Sequence, residues 1–383
     1  MGLGHMRRNL LIAGALASSS MDAAILLVTG SRHANAFTAP RGVDLVTLPA
    51  LHKDAKGRYG AGALPLSLKD LVTLRASTIR AALKAFDPDL FIVDNVPRGA
   101  LEELVPTLDD LKARGRARCV LGLRDILDEP MVVRSEWDEA DNEAALRAYY
   151  SAVWVYGDRN VYDIAREYDF GADVCSRMTY TGYLDQRVRL DMAQAPQAAR
   201  VEWPPGRQIL CTVGGGQDGG SVAEAFAAAE MPAGANGIVL TGPFMPGRTR
   251  EHVRQLARKN ERLFLLDFVP EAALLMHRAD RVVTMGGYNT MSEVLSFGKS
   301  ALVVPRVTPR REQLIRAEHL QRLGLVDVLH PQHLTPEAIS NWLSQERPAP
   351  PVTAVDLGGL SRVPVLAQEL LNAHDLEAAA SVH

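Results

Sequence analysis

Two strand-to-helix crossings follow one another between residues 281 and 316, and each sends a helix N-terminus to the same edge of a sheet. Arg281-Val282-Val283-Thr284 reads as a short apolar strand, and Gly286-Gly287 as a turn over which a ligand can approach the backbone closely. Asn289 or Thr290 is expected to cap a helix that Gly298 ends. Ala301-Leu302-Val303-Val304 is a second strand, stopped by Pro305, and Pro309 is expected to open a second helix. A helix N-terminus offers unpaired N–H groups and a positive dipole end, so two side by side suit a diphosphate. Arg306, Arg310, Arg311 and Arg316 add positive charge nearby, with Arg310 and Arg306 placed ahead of Arg316 as ligand contacts. The stretch points to a phosphate-bearing ligand.

The rest of the chain alternates strands and helices, as stacked parallel α/β layers require. In the first half, strands are expected at Ala23–Val28, Val43–Leu48, Leu90–Val93, Cys119–Leu123 and Val153–Tyr156. Helices are expected around Ser67–Phe86 and Gly99–Arg114. Gln186 to Gly206 is polar and alanine-rich before its Pro204-Pro205-Gly206 stop, so a boundary is placed there. The second half opens with the strand Gln208–Thr212. The domains are then residues 1–190, 200–355 and a tail 356–383, whose helix at about Val363 to Leu371 crosses back to the first domain. The fold class is α/β, two Rossmann-like parallel-sheet domains facing across a cleft. A length of 383 residues fits two cores better than one.

Composition narrows the partners. A formal net charge of −3 gives no footing for nucleic acid, and no apolar run reaches the length of a membrane span. Cys119, Cys175 and Cys211 are widely spaced, which argues against a disulfide framework or zinc site and fits a reducing cytoplasm.

Gly214-Gly215-Gly216-Gln217-Asp218-Gly219-Gly220 follows the first strand of the second half, where a glycine-rich turn lets the backbone meet a diphosphate. It lacks the Gly-Lys-Ser/Thr ending of a Walker loop. At the chain's opening, Gly2-Leu3-Gly4-His5 runs straight into the apolar helical pattern of Met6 to Ala17. In a doubly wound sheet a central strand precedes such a turn. Its neighbours would otherwise present unpaired backbone to a buried gap, so that strand is expected about ten residues upstream of Met1. A folded, active product beginning at Met1 would count against this.

The spacing around residues 284–316 resembles the donor-binding signature of two-domain (GT-B) glycosyltransferases, especially family 28. That family includes the N-acetylglucosaminyltransferases that build the lipid-linked peptidoglycan precursor. Its glycine-rich turn, glutamate-bearing helix, small-residue turn, strand, proline and glutamine are matched by Gly286, Gly287, Glu293, Gly298, Pro305, Glu312 and Gln313. The resemblance implies that Glu293 accepts from both hydroxyls of a nucleotide sugar's ribose, with Asn289 and Thr290 at the helix start beside the donor. It implies that Glu312 and Gln313 face the ribose, diphosphate or sugar, and it extends to the turn at Gly215, Gly216 and Gln217. Thr290-x-x-Glu293 is also the spelling of a capping box, which needs no ligand. Phe268 and Val269, after another strand, are implied to meet the nucleobase, and core packing explains them equally well.

The Gly-x-Gly-His opening resembles the first crossing of the acceptor domain in these transferases, where the histidine is often the base that takes the acceptor's proton. A histidine suits this because its unperturbed pKa lies near working pH. Asp94, at the carboxyl end of the strand 90–93, is the candidate to orient His5 and stabilise its charged form, with Arg124 and Asp125 as rivals. Asp87-Pro88-Asp89 spells D-x-D but sits at the wrong end of that strand, so it is read as a turn and no metal is expected. No cofactor is expected either.

The implied activity is transfer of a sugar from a nucleoside diphosphate donor, UDP by family habit, to a hydroxyl acceptor in cell-envelope or polysaccharide synthesis. A lipid-linked acceptor would bring the protein to the inner face of a membrane. Leu64 to Arg75, which mixes leucines with basic residues, could touch that surface or be a helix whose leucines face the core. Two alternatives share the architecture. One is a nucleotide-sugar 2-epimerase, whose usual Gly-Thr-Arg-Pro-Glu opening is missing here; the other is a non-catalytic nucleotide-sugar sensor.

Overall fold

The computed structural model describes residues 3–380 apart from 33, 35–36, 54–58, 63, 193–204, 270, 348–349 and 352–353. In the first half the strands are β1 (Ile25–Thr29), β2 (Val43–Thr47), β3 (Leu51–Lys53), β4 (Tyr59–Ala61), β5 (Leu90–Asp94), β6 (Arg118–Arg124), β7 (Ala152–Tyr156) and β8 (Met178–Tyr180). The second half contributes β9 (Arg207–Thr212), β10 (Ala235–Leu240), β11 (Leu263–Leu266), β12 (Arg281–Thr284), β13 (Ser300–Val303) and β14 (Asp327–Val328).

The second-half strands form one parallel sheet in the order β11-β10-β9-β12-β13-β14. This is the doubly wound order, with the switch point between β9 and β12, where ligands gather outside the carboxyl ends. The alternating apolar runs Ile209-Leu210-Cys211 and Val282-Val283 are buried on both faces, as a sheet covered by helices demands. In the first half, β5-β6-β7-β8 form a parallel sheet, β1 and β2 pair in parallel apart from it, and β3 and β4 make a small antiparallel hairpin. Every strand expected between residues 23 and 304 is present, with ends shifted by a residue or two.

Several helices depart from expectation. The opening helix starts at Leu3, so Gly4 and His5 lie in its first turn and not in a turn before it. The helix Tyr288–Ser296 is capped by Gly287 in extended geometry, not by Asn289 or Thr290, because Tyr288 is drawn into the core and hydrogen-bonds the Tyr156 carbonyl. The next helix runs Glu312–Arg322 and begins after Pro309, since the Arg311 N–H is already held by Asp128 of the first half at 2.8 Å. Gly99–Arg114 is broken into a 3-10 turn at Ala100–Glu102 and a helix at Val105–Arg114. The last helix, Gly359–Ala380, is longer than expected and packs against the opening helix. Val363 and Ala367 from it share one buried cluster with Ile12, Trp154, Leu210, Val282 and Tyr288, so a single core joins the two sheets. Most of the expected boundary, residues 193–204, lies outside the described residues.

Candidate functional site

Three crossings meet at the carboxyl edge of the second sheet. After β9, Gly214 and Gly216 have φ of +62° and +89°, and a Cβ on Gly216 would run into the Thr241 carbonyl oxygen. Only glycine fits there without strain. Gly215 lies against the ring of Phe244, and Gln217 is exposed. After β12, a Cβ on Gly286 would come within 2.7 Å of the Gln313 carbonyl oxygen, whereas nothing lies within 4 Å of the Cβ position on Gly287. Gly287 opens onto free space where the Tyr288–Ser296 helix begins, and no side chain caps that N-terminus. The helix at Glu312 also begins without a side-chain cap. Unspent N–H groups at both starts are what an anion needs.

Arg306 stands between these turns. It reaches Asp218 at 2.8 Å and Glu312 at 2.5 Å, and its N–H donates to Gln313 Oε1 at 3.1 Å. Arg306, Glu312 and Gln313 thus form one network with the glycine turn, and Glu312 keeps a buried oxygen, Oε2, without a partner among the described residues. Arg310 does not join it. Its guanidinium bonds Asp128 and Glu136 across the cleft, so it clamps the domains instead of facing a diphosphate. Arg316 is fully buried against Asp125 and equally unavailable. Past β11, Phe268 is 39% exposed while Val269 packs on the core. Phe268 is exposed and Val269 is half-buried.

Glu293 is buried and makes no capping box. Its Oε1 takes Arg189 Nη1 at 2.5 Å, with Arg7 Nη1 at 4.0 Å, and Arg189 also bonds Glu271. The contacts just named all fall on Oε1. Arg7, Arg189 and Glu271 were not picked out by sequence reasoning. For Arg7 a signal existed: two adjacent arginines inside an otherwise apolar helix require partners. Arg189, over a hundred residues from Glu293, gave none.

Facing these crossings, His5 and Asp94 come together. His5 Nδ1 lies 2.6 Å from Asp94 Oδ2 and 2.9 Å from Arg8 Nη2, and Arg8 and Asn9 donate to that carboxylate, which as an acceptor takes the Nδ1–H tautomer of the ring. With Nδ1 committed, Nε2 is the basic nitrogen of a half-exposed ring. Desolvation holds the His5 pKa below its ordinary 6.5, helped by the charges of Arg8 and Arg124 and opposed by Asp94. His5 is therefore neutral and able to accept a proton at pH 7. Burial alone would raise the Asp94 pKa, but Arg8 and then His5 hold it far below the usual carboxylate range. Of the rivals, Asp125 is spent on Arg316, and Arg124 sits at the end of β6 with a buried Nε that has no partner among the described residues. Asp87 and Asp89 pair with Arg114 and Arg116 at the opposite end of β5, as a surface turn would.

The two sides touch. Gly4 lies so close to the Asn289 amide that a Cβ would clash, and Arg8 lies over the Tyr288 ring. His5 is thereby set beside the start of the Tyr288–Ser296 helix.

Among solved structures, a UDP-N-acetylglucosamine 2-epimerase aligns with a TM-score of 0.62 at 13% identity, covering 97% of this chain and 94% of that one. MurG of Acinetobacter baumannii aligns with a TM-score of 0.53 at 15% identity, over 97% and 96% of the two chains. At such identities these similarities establish the shared fold. Residues 238–353 match the glycosyltransferase family 28 C-terminal domain. The chain is family-28-like, with the GT-B fold. One curated relative is the UDP-N-acetylglucosamine--N-acetylmuramyl-(pentapeptide) pyrophosphoryl-undecaprenol N-acetylglucosamine transferase of Haemophilus influenzae (strain PittGG). It is 31% identical over 94 residues, which is 24% of this chain and 27% of that protein. The match thus spans about a quarter of the relative's length, and the block of this family-28-like chain that fits the family's C-terminal domain lies in the second half.

Proposed function

We propose that this protein transfers a sugar from a nucleoside diphosphate sugar, of the UDP class, to a hydroxyl acceptor. The observation that carries the reading is the His5–Asp94 pair set against an uncapped helix N-terminus and two glycine turns. His5 Nε2 takes the acceptor hydroxyl's proton as its oxygen attacks the anomeric carbon, and Asp94 stabilises the imidazolium that forms. The departing diphosphate gathers charge, which the N–H groups near Gly287 and Glu312 and the Arg306 guanidinium are placed to receive. Glu293 holds the ribose through Oε2, with Arg189 fixing its other oxygen. Phe268 is the remaining candidate to cover the base.

A lipid-linked acceptor at a membrane's inner face belongs to the same proposal. Leu64, Leu66 and Leu74 are exposed in the segment singled out for surface contact, while Leu71 turns inward. Among the described residues no helix is long and apolar enough to cross a membrane.

Replacing His5 with alanine tests the reading. Turnover should fall by about 10²–10⁴ while calorimetry still registers the donor. Retained turnover overturns the base assignment, and a wild-type protein that binds donor without any transfer is a sensor. The epimerase reading draws on the TM-score of 0.62. It predicts a change at the donor sugar's C2 with no acceptor present, which product analysis would detect.

A further inference from the structure

Arginines crowd the meeting of the two sheets, and carboxylates answer most of them. Arg8 bonds Asp94, Arg306 bonds Asp218 and Glu312, Arg310 bonds Asp128 and Glu136, and Arg316 bonds Asp125. Arg124 differs from these. It ends β6, level with Tyr156 of β7, and on its other side β6 pairs with β5, whose last residue is Asp94. Among the described residues its guanidinium makes no hydrogen bond or ion pair, and its Nε is shut from water. Its chain neighbour Asp125 gives both oxygens to Arg316 and also accepts from Tyr183 and Ile126. Burial, then the charges of Arg8 and Arg316, hold the Arg124 pKa below its ordinary value, while Glu312 and Asp125 oppose them. An arginine stays charged under such pressure, so the fold keeps a desolvated cation without a counter-charge. A strand-end arginine that simply rested in solvent would not have its Nε sealed.

The neighbours of this cation show where it stands. Its charge acts on His5, so it lies on the side of the proposed base. Arg316, whose charge it feels, donates to the Gly286 carbonyl at 2.8 Å, just before the uncapped start of the Tyr288–Ser296 helix. Glu312, which it also feels, opens the second uncapped helix. Arg124 thus belongs to the first domain and lies among groups gathered at the sheet edge of the second. Glu312 Oε2 is buried there without a partner among the described residues. The two orphans are of opposite kind: Arg124 lacks an acceptor, Glu312 Oε2 lacks a donor, and they do not pair with each other. A ligand that carries both an oxyanion and a hydroxyl would satisfy the two at once. A guanidinium fork matches the paired oxygens of a phosphate.

We propose that Arg124 is an oxyanion-binding residue of the cleft, supplied by the first domain to a phosphate group lying between His5 and the start of the Glu312–Arg322 helix. This rests on the reading of the cleft as a nucleotide-sugar site. The phosphate belongs either to the donor's diphosphate or to the acceptor, and both sources present the same oxygens to the guanidinium. With the donor's diphosphate, Arg124 adds positive charge to the leaving group from the side that carries the base.

The experiment compares the unaltered protein with Arg124→Gln and Arg124→Lys, each titrated calorimetrically with uridine, UDP and inorganic pyrophosphate. If the donor supplies the anion, R124Q loses UDP affinity by about ten- to a hundredfold, the size of one charge-assisted bond, while uridine binds as before. R124K, which keeps the charge, recovers part of that loss. If the acceptor supplies it, UDP binding is unaltered, and pyrophosphate titrated into UDP-saturated protein binds the wild type and loses the same factor in R124Q. Either pattern supports the proposal. Ligand-free melting is the control for a merely structural role. Removal of a desolvated cation without a counter-charge should leave Tm unchanged or raise it. A lowered ligand-free Tm, with uridine and UDP weakened alike, assigns Arg124 to holding the fold and overturns the proposal. R124Q that binds every probe as the wild type does overturns it, and so does a wild type indifferent to both UDP and pyrophosphate. None of these readouts needs sugar transfer. A protein that binds UDP through Arg124 and transfers nothing keeps this proposal and loses the transferase reading.

Discussion

Arg316 and Asp125 offer a test of how the two domains are joined. Their side chains are 0% and 1% exposed, and Arg316 Nη2 and Nε meet the carboxylate at 2.7 and 2.8 Å. Replacing Arg316 with methionine removes the cation and keeps much of the volume. Asp125 would retain the Tyr183 hydroxyl at 3.0 Å and the Ile126 N–H at 2.7 Å, so its charge is not left bare. Removing one partner of a buried pair costs about 3–5 kcal/mol, and two surviving donors place R316M near 3 kcal/mol. Asp125→Leu should be worse, about 4 kcal/mol. It leaves the guanidinium one good acceptor, the Gly286 carbonyl at 2.8 Å, and two at 3.4 Å. The double variant removes both charges and should return to within about 1 kcal/mol of wild type, because the desolvation cost disappears with the attraction. Urea unfolding followed by tryptophan fluorescence measures all four corners of the cycle. Single variants that each cost under about 1 kcal/mol would mean that the pair behaves as a solvated one, and the buried-pair argument fails. A double variant as costly as the summed singles would show that shape, not charge, sets the effect.

Asp94→Asn should lower kcat and move the acid limb of kcat/KM to lower pH. Asp94 raises the His5 pKa, so its loss drops that pKa further below 6.5 and keeps the base neutral in more acid; an unmoved or upward-shifted limb counts against the dyad. Gly216→Ala should destabilise by about 2–3 kcal/mol, since it adds a Cβ against the Thr241 carbonyl at positive φ. Gly287→Ala, with open space around it, should leave thermal stability within about 0.5 kcal/mol yet weaken donor binding in calorimetry. Arg306→Gln should raise the donor KM by about ten- to a hundredfold, the worth of one charge-assisted bond to a phosphate, with little change in secondary structure by circular dichroism.

Much of the fold was readable along the chain. Apolar runs such as Val282-Val283 and Leu302-Val303 sit between glycine and proline stops, and both became buried central strands. The glycine turns were readable too, because a positive φ or a close backbone approach restricts the residue type wherever the turn lies. Helix starts were less legible. The Tyr288–Ser296 helix took its first residue from a core contact with Tyr156, and the Glu312–Arg322 helix was delayed by a bond from Asp128.

Local periodicity and turn chemistry therefore determined the strands, the order of crossings and the edge on which the ligand-side groups collect. Tertiary structure alone decided which arginine stays beside the glycine turns. Arg306, Arg310 and Arg316 lie within eleven residues of one another, yet one joins the glycine turns, one clamps Glu136 and one is buried on Asp125. A guanidinium sits on a long, flexible stem and settles wherever a carboxylate needs it. Apart from Glu312 beside Arg306, those carboxylates come from positions 88 to 191 residues away, so little in the local pattern records the choice.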